Sequence, residues 1–147
     1  MSDHFAEVHW QSKPHAEQDG TFSRDHQVVL ENGHSLLTSS APAYFGNAAA
    51  ANPETLLLAA LASCHMLTFL AITAKRGFAV AQYDDRAEGL LGKNAAGRMA
   101  IVSCTLNPVV RFAGASPSAE ELVKFHDSAH RNCFIANTLN AEVRINA

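Results

Sequence analysis

The segment that decides the fold runs from residue 52 to residue 77 and reads NPETLLLAALASCHMLTFLAITAKRG. Three residues mark the start of a helix. Asn52 is an N-cap residue, Pro53 takes the first helical position, and Glu54 lies at the positive end of the helix dipole. Three further residues mark its end. Lys75 and Arg76 are basic, and Gly77 can take the left-handed conformation. The segment therefore predicts a helix of about six turns.

This helix carries no charged residue from Thr55 to Ala74. About 20 such residues would span a bilayer, but this stretch is rich in Ala, includes Ser63 and Thr68, and lies between strand-like segments. A helix that is apolar all round also describes one enclosed by protein, so we expect a buried helix and no membrane partner. A small domain cannot easily surround it alone, so we expect a two-fold homodimer whose central helices pack together.

Composition points to one globular domain over residues 1–147. Hydrophobic residues make up 48% and charged residues 17% of the 147 residues, and the net charge of −3 gives no reason to expect a nucleic-acid partner. The N-terminus has no charged start followed by an apolar run, so we expect no secretory signal. Three widely spaced cysteines form a poor disulfide framework, which predicts a cytoplasmic protein with working thiols.

The remaining segments predict an α+β fold. Strand-like patterns cover 5–10, 26–31, 34–39, 78–91, 98–112 and 142–146. Asn32-Gly33 between two of them predicts a tight hairpin in which both residues take positive φ. Residues 40–51 are expected to be irregular. A helix is expected from Ser116 or Ser118 to about His130, and a shorter one from Cys133 to Leu139.

The cysteines differ in their surroundings. Cys64 lies mid-helix, where a small buried apolar role is common, and a reactive thiolate there would need a cation from elsewhere. Cys133 follows His130 and Arg131 and can open the short helix, features that favour a thiolate, although simple packing is an equal alternative. Cys104 lies in a strand pattern and is expected to be structural.

Other chemistry is weakly indicated. Cys64-His65 and His130-x-x-Cys133 could in principle supply two Cys and two His to zinc, but adjacent helical residues point about 100° apart. We therefore predict no metal and no cofactor. Arg24 and Glu54, judged by residue chemistry alone, are a solvated surface charge and an ordinary helix-dipole partner.

Taken together, residues 52–64, His130-Arg131-Asn132-Cys133 and the final strand resemble the OsmC/Ohr family, the osmotically induced and organic-hydroperoxide-resistance proteins. The Asn-Pro-Glu turn ten residues before a cysteine is the most specific match. The resemblance implies an intertwined homodimer, with antiparallel sheets wrapped around buried central helices.

The same resemblance implies a stress-response peroxidase. Its substrates would be organic hydroperoxides, with hydrogen peroxide as a further candidate. Cys64 would attack the peroxide, and Cys133 would close a disulfide with it. Arg24 would turn toward the thiolate and pair with Glu54. A dithiol, lipoyl-type in part of the family, would be the reductant.

Two departures place the chain in the OsmC-like branch. His65 follows the reactive cysteine where many members have Phe, and Phe134-Ile135-Ala136 replaces the usual Pro and Ser after the resolving cysteine. Ten residues of helix separate Glu54 from Cys64, about 15 Å, so one Arg could touch both only if the backbone deviates or the Arg moves. The alternative function is a non-enzymatic dimeric module that binds an apolar ligand in the interface cleft.

Overall fold

The structure, a computed structural model, describes residues 1–147 as two compact units, Met1–Leu56 and Leu57–Ala147. The first unit holds an antiparallel sheet with the strand order β1-β2-β3. Its strands are β1 (Ala6–His9), β2 (His26–Leu30) and β3 (Ser35–Thr38). A 3₁₀ turn at Pro42–Tyr44 lies within the segment that was expected to be irregular.

The hairpin between β2 and β3 forms, but the predicted two-residue turn is wrong. Leu30 N donates to His34 O over 2.8 Å, so three residues form the loop, and only Gly33 takes positive φ, at 83°. Asn32 instead uses its side chain, whose Oδ1 accepts from His34 N at 3.1 Å. A three-residue loop with glycine in the left-handed position is the next commonest hairpin connection.

The predicted central helix is confirmed as α1 (Pro53–Lys75), one continuous helix. Asn52 Oδ1 accepts from Thr55 N at 2.9 Å, and Thr55 Oγ1 accepts from Asn52 N at 3.2 Å. These reciprocal bonds satisfy amides at the helix start that would otherwise lack partners. Gly77 ends the helix with a φ of 82°.

Within one chain α1 is buried along a single stripe: Leu61, His65, Phe69 and Thr73. Only 17% of its most apolar 18 residues are buried, so this chain alone does not enclose the helix as its composition predicts. By length and composition α1 could cross a membrane, but the core helix of a soluble protein passes the same test.

The two long strands predicted over 78–91 and 98–112 each break in two. The strands are β4 (Ala79–Asp85), β5 (Glu88–Lys93), β6 (Met99–Leu106) and β7 (Pro108–Ala113). β4 pairs with β7 and β5 pairs with β6, so both breaks fall at one corner. Asp85 Oδ1 accepts from Asn107 N at 2.7 Å, and Asn107 Nδ2 donates to Arg86 O at 2.8 Å. These bonds satisfy the backbone where the ladders stop.

Two helices and a strand complete the second unit. α2 (Ala119–Asn132) begins at Ser118 in a capping box with Glu121, and α3 (Phe134–Thr138) follows with Cys133 as its N-cap. β8 (Glu142–Ile145) pairs with β6 in parallel, the one parallel ladder among otherwise antiparallel sheets. The predicted α+β class is confirmed.

Two apolar clusters fill this unit. One centres on Leu61 of α1, Cys104 and Leu106 of β6, and Cys133. The other centres on Phe69 of α1 with Phe125 and Ala129 of α2. Because α1 contributes to both clusters, the orientation of the helix about its axis determines which of its side chains lies in each cluster.

Candidate thiol site

Folding brings the three cysteines to one cluster. Cys104 and Cys133 have no solvent-exposed surface, whereas Cys64 packs against the same cluster and remains partly exposed. All three are free thiols in this structure. Cys64 is therefore the most exposed of the three cysteines.

Cys133 lies where α2 ends and α3 begins. Its Sγ accepts from Ala136 N at 3.4 Å, an N-cap role that by itself favours the thiolate. Burial has the larger effect and raises the pKa of Cys133, and a hydrogen bond with the Cys64 thiol raises it further. The expectation that this setting favours a Cys133 thiolate is therefore wrong, because desolvation outweighs the helix start and Arg131 is exposed.

Cys104 occupies the position expected of a strand residue. It lies in β6 between Gly89 of β5 and Val143 of β8. Burial raises the pKa of its thiol above the ordinary value. A buried, protonated thiol is a small apolar side chain, which agrees with a structural role.

Arg24, in the first unit, makes contacts only with its own neighbourhood. Its Nη1 donates to Thr21 Oγ1 at 2.9 Å and to Phe22 O. Its guanidinium lies 4.1 Å from the Phe22 ring centre and 5.2 Å from the Phe45 ring centre. These contacts leave the cation without a carboxylate partner.

Glu54 opens α1, as its role at the positive end of the helix predicts. Its Oε2 is buried and has no hydrogen-bond partner within the chain. The ion pair with Arg24 that the resemblance implies is not formed in this structure. α1 runs without interruption from Pro53 to Lys75, so residues 52–57 do not form the separate turn that could have let one Arg touch both Glu54 and Cys64.

A pair of buried histidines is a feature that the sequence reasoning missed. His65 Nε2 lies 3.0 Å from His126 Nδ1, and the two residues are 1% and 2% exposed. Burial is the main cause that lowers both pKa values to about 4, so both rings are neutral near pH 7. One sequence signal could have found His65. It lies four residues after Leu61 and four before Phe69, which places it on the same buried face of the helix.

The histidines and cysteines do not assemble a metal site. No group of three or more His, Cys, Asp or Glu side chains is placed to hold a metal ion. Cys64 faces the thiol cluster while His65, the next residue, faces α2.

Comparison with known proteins identifies the family and the fold that this chain shares. The family model of OsmC-like proteins matches residues 46–147. No curated protein sequence matches the chain. An OsmC-like protein of unknown function from Vibrio cholerae is 41% identical, with 99% of each chain covered and a TM-score of 0.92.

More distant solved structures share the fold. An organic hydroperoxide resistance protein from Elizabethkingia anophelis is 19% identical over 99% of this chain and 94% of its own, with a TM-score of 0.75. The organic hydroperoxide resistance protein OhrB of Bacillus subtilis is 18% identical over 97% and 96%, with a TM-score of 0.68.

Proposed function

The chain belongs to the OsmC-like protein family, and on that premise we propose that it is a cysteine peroxidase that reduces organic hydroperoxides. Cys64 is the attacking thiolate and Cys133 the resolving thiol. The observation that carries the proposal is that a partly exposed Cys64 packs against the apolar cluster that contains the fully buried Cys133.

The first step oxidises Cys64. Its thiolate attacks the terminal oxygen of the hydroperoxide, so that an S–O bond forms as the O–O bond breaks. The alkoxide leaves and takes up a proton to become the alcohol. The peroxide gains two electrons, and Cys64 becomes a sulfenic acid.

The second step closes the disulfide. The Cys133 sulfur attacks the Cys64 sulfur, an S–S bond forms, and the hydroxyl leaves as water with the Cys133 proton. A dithiol reductant, for which a lipoyl-type compound is our candidate, then exchanges with the disulfide and restores both thiols. Because its pKa is raised, Cys133 stays protonated while Cys64 reacts with the peroxide.

Arg24 and Glu54 complete the proposed site. Arg24 supplies the positive charge that the mid-helix position of Cys64 lacks when it turns toward the thiolate, and Glu54 holds its guanidinium when it turns away. Two observations support these roles. Arg24 has no carboxylate partner, and Glu54 Oε2 is buried without a hydrogen-bond partner. Both groups are thus available to a different arrangement during the reaction.

The working form we propose is a cytoplasmic homodimer. The support for the dimer is the apolar helix α1, in which only 17% of the most apolar 18 residues are fully buried within one chain. The support for a reducing compartment is three free thiols, two of them close enough to interact.

Peroxide consumption by the purified protein tests this function. Cumene hydroperoxide is supplied with dihydrolipoamide, and wild type is compared with Cys64→Ser and with Cys104→Ser as the matched control. We expect Cys64→Ser to abolish turnover and Cys104→Ser to retain it, with a Cys64–Cys133 disulfide found by mass mapping. A Cys64–Cys104 product would contradict the assignment, and a wild type inert with every dithiol would favour the apolar-ligand module instead.

A further inference from the structure

One buried polar contact has no part in the chemistry above. His65 Nε2 on α1 and His126 Nδ1 on α2 lie 3.0 Å apart, and the two ring planes differ by 1°. Coplanar rings that meet nitrogen to nitrogen describe an N–H···N hydrogen bond, because the donor hydrogen and the acceptor lone pair both lie in the ring planes.

The pair lies between the two apolar clusters. On one side is the Leu61 cluster, which includes the thiols; on the other, the His126 ring stacks on Phe69 with centres 4.3 Å apart. The nearby titratable groups are on α2: His130 acts electrostatically on His65, and Asp127 acts on His126. The bond therefore crosses the α1–α2 contact at a site shielded from bulk solvent.

Stability alone does not account for this pair. A neutral imidazole has one N–H and one bare nitrogen, so whichever ring donates, the outer atoms present one N–H and one lone pair. Those atoms, His65 Nδ1 and His126 Nε2, are buried without a partner in the chain. Replacing both members of such a pair with apolar groups of similar shape is often neutral or stabilising. What an apolar pair lacks is a directional contact.

We propose that His65 and His126 are positioning residues that set the approach of Cys133 to Cys64. The inference rests on the proposed use of the two thiols. His65 directly follows Cys64, and His126 lies seven residues before Cys133, about 10 Å along α2. Apolar packing resists separation of the helices, whereas one directional bond fixes how far α2 slides and rotates on α1. The bond thereby places the N-cap sulfur of α3 against the thiol of α1.

Disulfide closure tests this directly. His126→Leu removes the bond, while His126→Asn returns a polar atom to the position of Nδ1, since both are bonded to Cγ. Peroxide attack is followed by dimedone trapping of the sulfenic acid, and closure is followed by mass spectrometry. We expect His126→Leu to close at least ~10-fold more slowly, because small misplacements of reacting groups have effects of that size. Attack by Cys64 should change by less than about two-fold, with more over-oxidation to sulfinic acid.

Two comparisons keep the proposal open to refutation. His126→Asn should recover most of the closure rate, and the double variant His65→Phe/His126→Leu, which guards against misfolding of the single one, should stay slow. Closure at the wild-type rate in His126→Leu or in the double variant, or an equally slow His126→Asn, would overturn the role. Diamide, which oxidises two thiols to a disulfide and becomes a hydrazine, gives the same comparison without peroxide. If the wild-type protein does not react with peroxide, the proposed function is refuted, but the closure rates with diamide still test the role of the histidines.

Discussion

His65 and His126 share a hydrogen bond at 3.0 Å in a region where neither ring meets water. Their pKa values of about 4 lie below the ordinary value of 6.5, because burial disfavours the charged form. Between pH 6.5 and 4 the unfolded chain therefore binds protons that the folded chain does not. By linkage, the free energy of unfolding must fall as pH falls through this window.

We predict a loss of about 1.4 kcal/mol per pH unit for each histidine across that window. Urea unfolding at several pH values measures it, and the double variant His65→Phe/His126→Leu should show a flatter profile. Asp85 acts in the opposite direction: its pKa is raised by burial, so its folded form takes up a proton first as pH falls. A wild-type profile no steeper than that of the double variant would show that the histidines are not neutral and buried together.

The second prediction concerns the start of α1. Asn52 and Thr55 exchange two hydrogen bonds, at 2.9 and 3.2 Å. Asn52→Ala should lower the free energy of unfolding by about 1 kcal/mol, whereas Asn52→Asp, which keeps the accepting oxygen, should change it little. Denaturant midpoints at constant m-value measure both. Equal midpoints for all three proteins would mean that the cap is not formed in solution.

These caps also show what the sequence can reveal. Asn52, Pro53, Gly77 and Ser118 act on residues within one turn of themselves, so their roles follow from local rules. The strand breaks near Asp85 do not, because the corner depends on Asn107, 22 residues away. Asp84-Asp85-Arg86 and Asn107-Pro108 do interrupt the two apolar patterns, but the sequence alone does not show that the two interruptions meet at one corner.

The candidate site divides in the same way. The resemblance selected Cys64 and Cys133, and folding brings both to one cluster. The protonation of Cys133 could not be foreseen, because nearby cations in the sequence suggested a thiolate and only the fold shows that the sulfur is fully buried. His126 was missed for a similar reason: its partner His65 lies 61 residues earlier in the chain.

The third prediction concerns assembly. Few residues of the apolar helix α1 are fully buried within one chain, and Leu67 on it is 60% exposed. We expect a homodimer that buries well over about 1,000 Å². Light scattering at micromolar concentration should give twice the chain mass. Leu67→Glu should weaken the dimer, and Val109→Glu, at a similarly exposed apolar position on β7, is the control. A wild-type monomer would contradict the prediction.

The last prediction concerns Arg24, whose guanidinium lies over Phe22 and Phe45 with no carboxylate partner. If it supplies the charge that stabilises the Cys64 thiolate, Arg24→Ala should slow peroxide attack at least ~10-fold near neutral pH. The loss should shrink at high pH, where a thiolate forms without help. Arg24→Lys keeps the charge but not the planar guanidinium. Partial recovery of the attack rate in this variant would assign the loss to charge, and no recovery would assign it to guanidinium geometry.

Stopped-flow rates across pH, together with light scattering to confirm an unchanged assembly, decide between these outcomes. If Arg24 moves during the reaction, its contacts with Thr21 and Phe22 break, and the attack rate then includes that rearrangement. Phe22→Leu removes one ring beneath the cation and should leave the thiols untouched. We expect it to hold the rate steady or raise it, because a less firmly held guanidinium is released more easily. A wild-type rate in Arg24→Ala at neutral pH would remove Arg24 from the site.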